Sequence, residues 1–360
     1  MRIVLLMTAW ALLLLAIPSP GFAAESRNGR EIIARFRDHL AEPQCAPDAS
    51  ARWRKHFAHA PRDLANSDRD VMPLFGYVVD ALIEADLPTE LALIPFVESG
   101  YRPGARSPSG PAGLWQMIGI TARNHGVPMR KGYDGRLSPV DSTKAAVRYL
   151  KTLYGMFAGD WRLAVMAYNA GENRIFGALR RSGQEARSAD IDKLTGVPEI
   201  TRAYVRKLHA LSCVLEEADD RAQWRASIDR AVPLLTDISV PAGVSLESWA
   251  EREGLDVAAL RRMNPALGGG PVGSGRKVLA AGRLPPTRVQ RAFLPGDDIV
   301  FEVDAGHPAA AGSGRKHTVR RGESASVIAK RYRIGVNALL SRNGLTASSV
   351  LQPGMVLRID

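Results

Sequence analysis

The segment from Leu93 to Met117, LIPFVESGYRPGARSPSGPAGLWQM, sets the reading of the whole chain. Counting back from Glu98, the apolar residues Ile94, Leu91 and Leu87 recur at spacings of four, three and four. Such positions stack on one face of a helix, so the only carboxylate of the segment stands on the buried stripe. A run of Gly, Pro and Ser follows at once and closes the helix. Burial disfavours the charged form of a carboxyl group, so Glu98 is expected to titrate high and to hold a proton near neutrality. That is the state a general acid needs. A Glu paired with an Arg at a helix end leaves the same pattern, and helix position alone does not separate the two. Pro95 lacks an amide hydrogen and predicts a kink just before Glu98.

Outward from this segment, residues 71 to 218 read as helix after helix, with no strand alternation. The expected helices are Val71–Glu84, Thr89–Ser99, Thr143–Phe157, Trp161–Asn169 and Ile200–Glu217. Thr89 ahead of Glu90 and Ser142 ahead of Thr143 serve as start signals. Residues 25 to 70 are polar and basic, with short helical patterns around Ile32–Leu40 and Trp53–Phe57.

The C-terminal part contains a repeat. Shifting Pro241–Asn264 forward by 79 positions lays it on Arg320–Asn343. Gly243 then meets Gly322, Ser245 meets Ser324, Ala250 meets Ala329, Leu260 meets Leu339 and Asn264 meets Asn343. Each copy reads as strand, Gly-containing turn, two short helices, loop and closing strand. Between the copies, Ala305–Lys316 is rich in Ala, Gly, Ser and Pro and reads as a flexible tether.

At 360 residues and a formal charge of +11, the chain has room for two or three domains and favours anionic partners. Met1-Arg2, the apolar run Ile3–Ile17 and Gly21-Phe22-Ala23 ahead of Ala24 read as a cleaved secretory signal, with an uncleaved anchor as the alternative. No other segment reads as a membrane span, and export argues against a nucleic-acid partner. Cys45 and Cys213 are the only cysteines. In an oxidising compartment they form one disulfide or remain two separate buried thiols. Neither a metal nor a cofactor is expected, and His56 and His59 read as surface residues.

The blocks Glu98-Ser99, Ser107, Gly110, Gly113-Leu114-Trp115-Gln116, AYNAG (Ala167–Gly171) and TRAYV (Thr201–Val205) occur in an order that carries a resemblance. Over roughly Leu87 to Leu215 the chain resembles the lytic transglycosylases of lysozyme-like (SLT) fold, most closely the membrane-bound lytic murein transglycosylase D group. The resemblance implies cleavage of the β-1,4 bond between N-acetylmuramic acid and N-acetylglucosamine in peptidoglycan glycan strands, without water, to give a 1,6-anhydro sugar. It implies that Glu98 serves as both acid and base. Ser107 would donate to Glu98 or to substrate, and Gln116 would offer its amide to an N-acetyl group. Gly110 and Gly113 would let the backbone approach the sugar chain. Trp115 reads equally well as core. Tyr168 would hold the Glu98 carboxyl by its hydroxyl and Asn169 would bond substrate, unless Asn169 and Gly171 merely cap a helix. Tyr204 is a further candidate in the cleft.

Departures from the family pattern are Pro111 for Ala, Gly119 for Pro, and Ile200 where Glu is common, with Glu199 one residue earlier. One residue turns a helical side chain by more than a quarter turn, so Glu199 is not carried over. Asp134 and Arg136 read as a pair that pins a loop.

His317–Asp360 resembles a LysM domain, a βααβ module that binds N-acetylglucosamine-containing glycans, through Gly322, Ser324, Ala329, Asn343, Gly344, Pro353, Gly354 and Leu357. The resemblance implies sugar contacts at Gly322, Glu323, Ser324 and Asn343. The first copy is degenerate and reads as a spacer, with glycan binding left open. The expected fold is therefore mainly α: a lysozyme-like catalytic domain followed by small α+β LysM-type modules. The partition is signal 1–23, N-terminal helical extension 24–70, catalytic domain 71–220, degenerate module 236–282, linker 283–316 and LysM domain 317–360. The expected place is the periplasm. Alternatives to a transglycosylase are a lysozyme-type hydrolase, an inactive peptidoglycan-binding scaffold and a chitin-degrading enzyme.

Overall fold

The computed structural model describes residues 25–45, 50–268, 270–282, 316–318, 328–329, 332, 334, 336–343, 345 and 355–359. The proposed signal, the linker 283–316 apart from its last residue, and Gly322, Glu323 and Ser324 lie outside the described residues. The fold is mainly helical with a few short strands, and the chain divides into two compact units, up to residue 292 and from residue 293.

The first unit opens with β1 (Ser26–Asn28), α1 (Gly29–Arg37), α2 (Ala51–Phe57), α3 (Ala60–Ala65) and α4 (Val71–Glu84). Helix α4 supplies Met72, Leu74, Phe75, Val78, Val79 and Leu82 to the main core. The helix expected over Thr89–Ser99 is divided into a 3-10 turn, Thr89–Leu93, and the short α5, Ile94–Glu98. Pro95 causes the division. It sits in the first turn of α5, where its missing amide hydrogen leaves no bond unmade. It therefore opens the helix that ends at Glu98 and does not kink a longer one. Thr89 is no cap either, because its buried hydroxyl donates to the Phe36 carbonyl.

Beyond the loop lie α6 (Gly119–Asn124), the two-residue strands β2 (Met129–Arg130) and β3 (Tyr133–Asp134), and α7 (Pro139–Met156). The small β2–β3 ladder was not expected from the sequence pattern. Helix α7 starts ahead of the expected Thr143 because Ser138 caps it, accepting from the Asp141 amide at 3.2 Å, and Pro139 follows. Ser142 lies inside that helix. Asp160 caps α8 (Trp161–Ala170), and Gly171, with φ of 87°, ends it before α9 (Glu172–Arg181). The long α10 (Glu199–Asp219), α11 (Ala222–Ile228) and β4 (Ala231–Pro233), which pairs with β1, complete the helical body. Cys45 and Cys213 form a disulfide, which ties the N-terminal segment to α10.

The first copy of the repeat follows directly: β5 (Leu235–Ser239), α12 (Leu246–Glu253), α13 (Val257–Met263) and β6 (Lys277–Ala281), with β5 and β6 antiparallel. Its own small core gathers Val240, Leu246, Trp249, Ala250, Leu260, Val272, Val278 and Ala280. Leu235 and Leu279, however, belong to the main core, and Asp237 receives both Lys144 of α7 and Lys277. Reading this copy as a spacer is thus corrected: it is packed on the helical body. In the second unit β7 (Lys316–Thr318) pairs antiparallel with β8 (Val356–Arg358), and α14 (Val336–Arg342) contributes Leu339 to a core with Ile328, Ala329, Leu357 and Ile359.

Candidate active site

Glu98 is the last residue of α5 and is half-buried. The Tyr204 hydroxyl, from α10, donates to Glu98 Oε1 at 2.5 Å. Burial pushes the Glu98 carboxyl above its ordinary range, against the opposing pull of the Tyr204 hydrogen bond and the positive charge of Lys207. Tyr204 and Lys207, three residues apart, share one face of α10. The Lys207 ammonium rests 4.7 Å from the centre of the Trp53 ring on α2. Burial, followed by the charge of Glu98, raises the Tyr204 phenol well above its usual value, so it remains a donor. The site thus combines a carboxyl group biased toward its acid form with a fixed donor that supports it once ionised.

Three contacts anchor the following loop. The Ser99 hydroxyl donates to the Leu114 carbonyl at 2.8 Å, so the residue after Glu98 ties the loop back to α5. The Tyr168 hydroxyl donates to the Trp115 carbonyl at 2.8 Å. Arg136 Nη1 reaches the carbonyls of Gly110 at 2.8 Å and Met117 at 3.1 Å. Asp134 holds the same guanidinium at Nε and Nη2, as expected of a pinning pair, and that hydrogen bonding keeps the Asp134 carboxyl below its ordinary value. Gly113, at φ of 84°, is required because a Cβ there would meet the Arg136 carbonyl oxygen at 1.7 Å. The close approach is to protein backbone and not, as expected, to a sugar chain. A Cβ at Gly110 would meet nothing.

Several expected roles change. Tyr168 secures the loop, and Tyr204 takes the place assigned to it on Glu98. Ser107 bonds Ser109 at 2.8 Å and not Glu98. Gln116 Nε2 donates to the Ala105 and Gly113 carbonyls, so its donor end is occupied and Oε1 is the end left to accept from a ligand N–H. Trp115 is fully buried, with Nε1 donating to Thr143 Oγ1 at 3.0 Å, which makes it a core residue. Asn169 is exposed and accepts from Thr201 Oγ1 at 2.9 Å; Gly171, not Asn169, ends α8. The Glu199 side chain is 74% exposed and pairs with Arg206, away from Glu98.

Sequence reasoning missed the anchoring roles of Ser99 and Tyr101. Tyr101 takes φ of 58° and donates to the buried Ala92 carbonyl at 2.7 Å. A Ser directly after the buried Glu was the available signal for the first; the second carries none in sequence.

Asn343, expected to touch sugar, is a staple within its module. Its Nδ2 donates to the Leu339 and Arg358 carbonyls, and its Oδ1 accepts from the Arg358 amide. Asn264 does the same 79 residues earlier, with Leu260 and Leu279. Both ends of each amide are therefore engaged by backbone.

Comparison with known proteins adds to this geometry. Residues 80–191 match the family described as Transglycosylase SLT domain, and residues 317–360 match LysM domain. The chain thus carries one domain of each kind. It is 30% identical over 288 residues to Membrane-bound lytic murein transglycosylase D of Escherichia coli K12, covering 80% of this chain and 63% of that protein. Over 112 residues it is 38% identical to Peptidoglycan transglycosylase gp16 of Escherichia phage T7, covering 31% of this chain and 8% of that one. Among solved structures, the 70 kDa soluble lytic transglycosylase of Escherichia coli aligns at 19% identity with a TM-score of 0.36, over 56% of this chain and 36% of that one. The chain spans less than two thirds of the murein transglycosylase it matches.

Proposed function

We propose that the chain is an exported peptidoglycan lytic transglycosylase in which Glu98 is the single acid and base. The observation that carries this reading is a half-buried carboxyl, raised by its surroundings and held by the Tyr204 hydroxyl. In the first step the Glu98 acid gives its proton to the glycosidic oxygen as the bond from the muramyl C1 to that oxygen breaks. The N-acetylglucosamine end leaves with that proton and the bonding electrons. In the second, the muramyl C6 oxygen forms a bond to C1 and its proton passes to the Glu98 carboxylate. The acid is restored, no water is consumed, and a 1,6-anhydro end results. Tyr204 supports the carboxylate that exists between the two steps.

Glycosidases that work by a carboxylate pair need the second at a fixed separation. Lys207 lends Glu98 a positive charge, and Glu199, the displaced candidate for a second carboxylate, is exposed and pairs with Arg206. Leaving Glu199 out is consistent with one carboxylate working twice. A LysM module on the same chain would raise the local concentration of glycan at the site.

The test is mass spectrometry of products released from purified sacculi by the wild type and by Glu98→Gln. Anhydro ends, one water lighter than hydrolysis products, are expected from the wild type alone. Reducing ends only would assign a hydrolase. Equal release by both proteins would remove Glu98 from the chemistry, and cleavage of chitin oligomers without cleavage of sacculi would change the substrate.

A further inference from the structure

The first copy of the repeat makes a second, separate apolar contact with the loop that follows Glu98. Ala266 is buried in one cluster with Ala112, Tyr133 and Leu137, and Leu267 packs against it. Pro265 faces Gly104, near enough that a Cβ added there would lie 3.6 Å from the proline ring. The Arg276 guanidinium stands 3.5 Å from the centre of the Tyr133 ring, and the Tyr133 hydroxyl donates to Asp141 at 2.7 Å. Tyr133 immediately precedes Asp134, which grips Arg136, which in turn holds the carbonyls of Gly110 and Met117. A continuous line of packed and hydrogen-bonded groups therefore runs from this module to the loop bearing Gln116.

The repeat makes the placement informative. Residues Asn264–Leu267 are the counterpart, 79 positions earlier, of the loop after Asn343, which the LysM resemblance would put against sugar. In the first copy that loop is covered by the catalytic body, while the turn at Pro241–Gly243 is still exposed. The loop corresponding to the one expected against sugar is therefore occupied by protein.

We infer that the first copy has exchanged glycan capture for bracing the loop 105–117, with Ala266 and Arg276 as positioning residues. The catalytic consequence rests on the function proposed above; the mechanical one does not. Hydrogen exchange of the full-length chain separates them. Arg276→Ala is expected to speed exchange in 105–117 about fivefold, the factor that a cation–ring contact of ordinary strength supplies. Exchange in α8 should stay unchanged, and Arg276→Lys should restore protection by keeping a cation over the ring. Ala266→Arg, which forces a long side chain into the cluster, should act in the same sense and more strongly. On sacculi Arg276→Ala should lower kcat by a similar factor, and Ala266→Arg by more, while KM and co-sedimentation hold.

Unchanged exchange in 105–117 in both variants would overturn the brace. So would lost co-sedimentation with turnover per bound molecule intact, which would make the first copy a receptor. Should the wild type release nothing from sacculi, the function proposed above fails and the exchange result still decides the brace.

Discussion

Glu90 and Glu98 stand at opposite ends of the same buried run, and burial lifts both carboxyls above their ordinary range. Their settings otherwise differ. Glu90 is 2% exposed, its Oε1 accepts the Glu42 amide at 2.8 Å, and its Oε2 has no hydrogen-bond partner among the described residues. It lines a small space with Cys45, Trp161 and Cys213, on the side where the N-terminal segment is tied down. Glu98 is half-buried, faces a phenol that stays protonated, and stands beside an anchored loop. A raised carboxyl pKa therefore marks burial and nothing more. What suits one of the two for proton transfer is access, with a donor that steadies the ion once the proton has left.

The largest expected effect separates them by activity. Glu98→Gln should lower turnover on sacculi about 10³-fold, within the range that general acid–base catalysis contributes. Glu90→Gln keeps an oxygen for the Glu42 amide and should leave turnover within about threefold. Comparable losses from both would dissolve the distinction. Next in size, Cys213→Ser should weaken folding by about 3 kcal/mol, because the disulfide closes a span of 168 residues. Chemical denaturation measures this. The loss should loosen the Glu42–Cys45 segment that serves Glu90 and leave the pH profile set by Glu98 in place.

Tyr204→Phe comes third, at about tenfold in kcat, the worth of one hydrogen bond to a charged group at the low end of its range. It also carries a sign. Removing a donor that favours the carboxylate lets burial raise Glu98 further, so the alkaline fall of kcat/KM should move to higher pH. Lys207→Met should move it the same way, by less and in a salt-dependent manner. A shift to lower pH from either variant would contradict the arrangement.

Much of this was legible in the sequence, for reasons that vary by residue. The stripe Leu87, Leu91, Ile94 pointed to Glu98 although the segment is not one helix: Leu87 precedes the 3-10 turn, Leu91 lies within it, and only Ile94 shares α5 with Glu98. Asp134 and Arg136 were readable as a pair because opposite charges two residues apart can meet without any tertiary contact. The tyrosines were not readable. Whether Tyr168 or Tyr204 meets Glu98 depends on how α8 and α10 pack, which no spacing records. The docking of the first repeat copy was hidden for a similar reason. Ala266 and Pro265 look like any loop residues until Ala112 and Gly104 are brought against them. Asn343 was expected at the sugar because of the LysM resemblance, and only the β8 backbone beside it shows both ends of its amide engaged within the module.

The smallest expected effect tests what the two carboxyls share. For each, the folded value lies above the unfolded one, near 4.3. The fold therefore favours the acid form. That favour is complete below about pH 4.3 and is lost as pH rises through the raised folded value. At neutrality each carboxyl accordingly weakens the fold relative to an amide of the same shape. Glu98→Gln and Glu90→Gln should both raise the denaturation midpoint near neutral pH, and both gains should vanish in acid. If only one variant shows this pattern, burial is not the common cause of the two shifts. If both show it while only Glu98→Gln silences turnover, the two residues share their thermodynamics and differ in access alone.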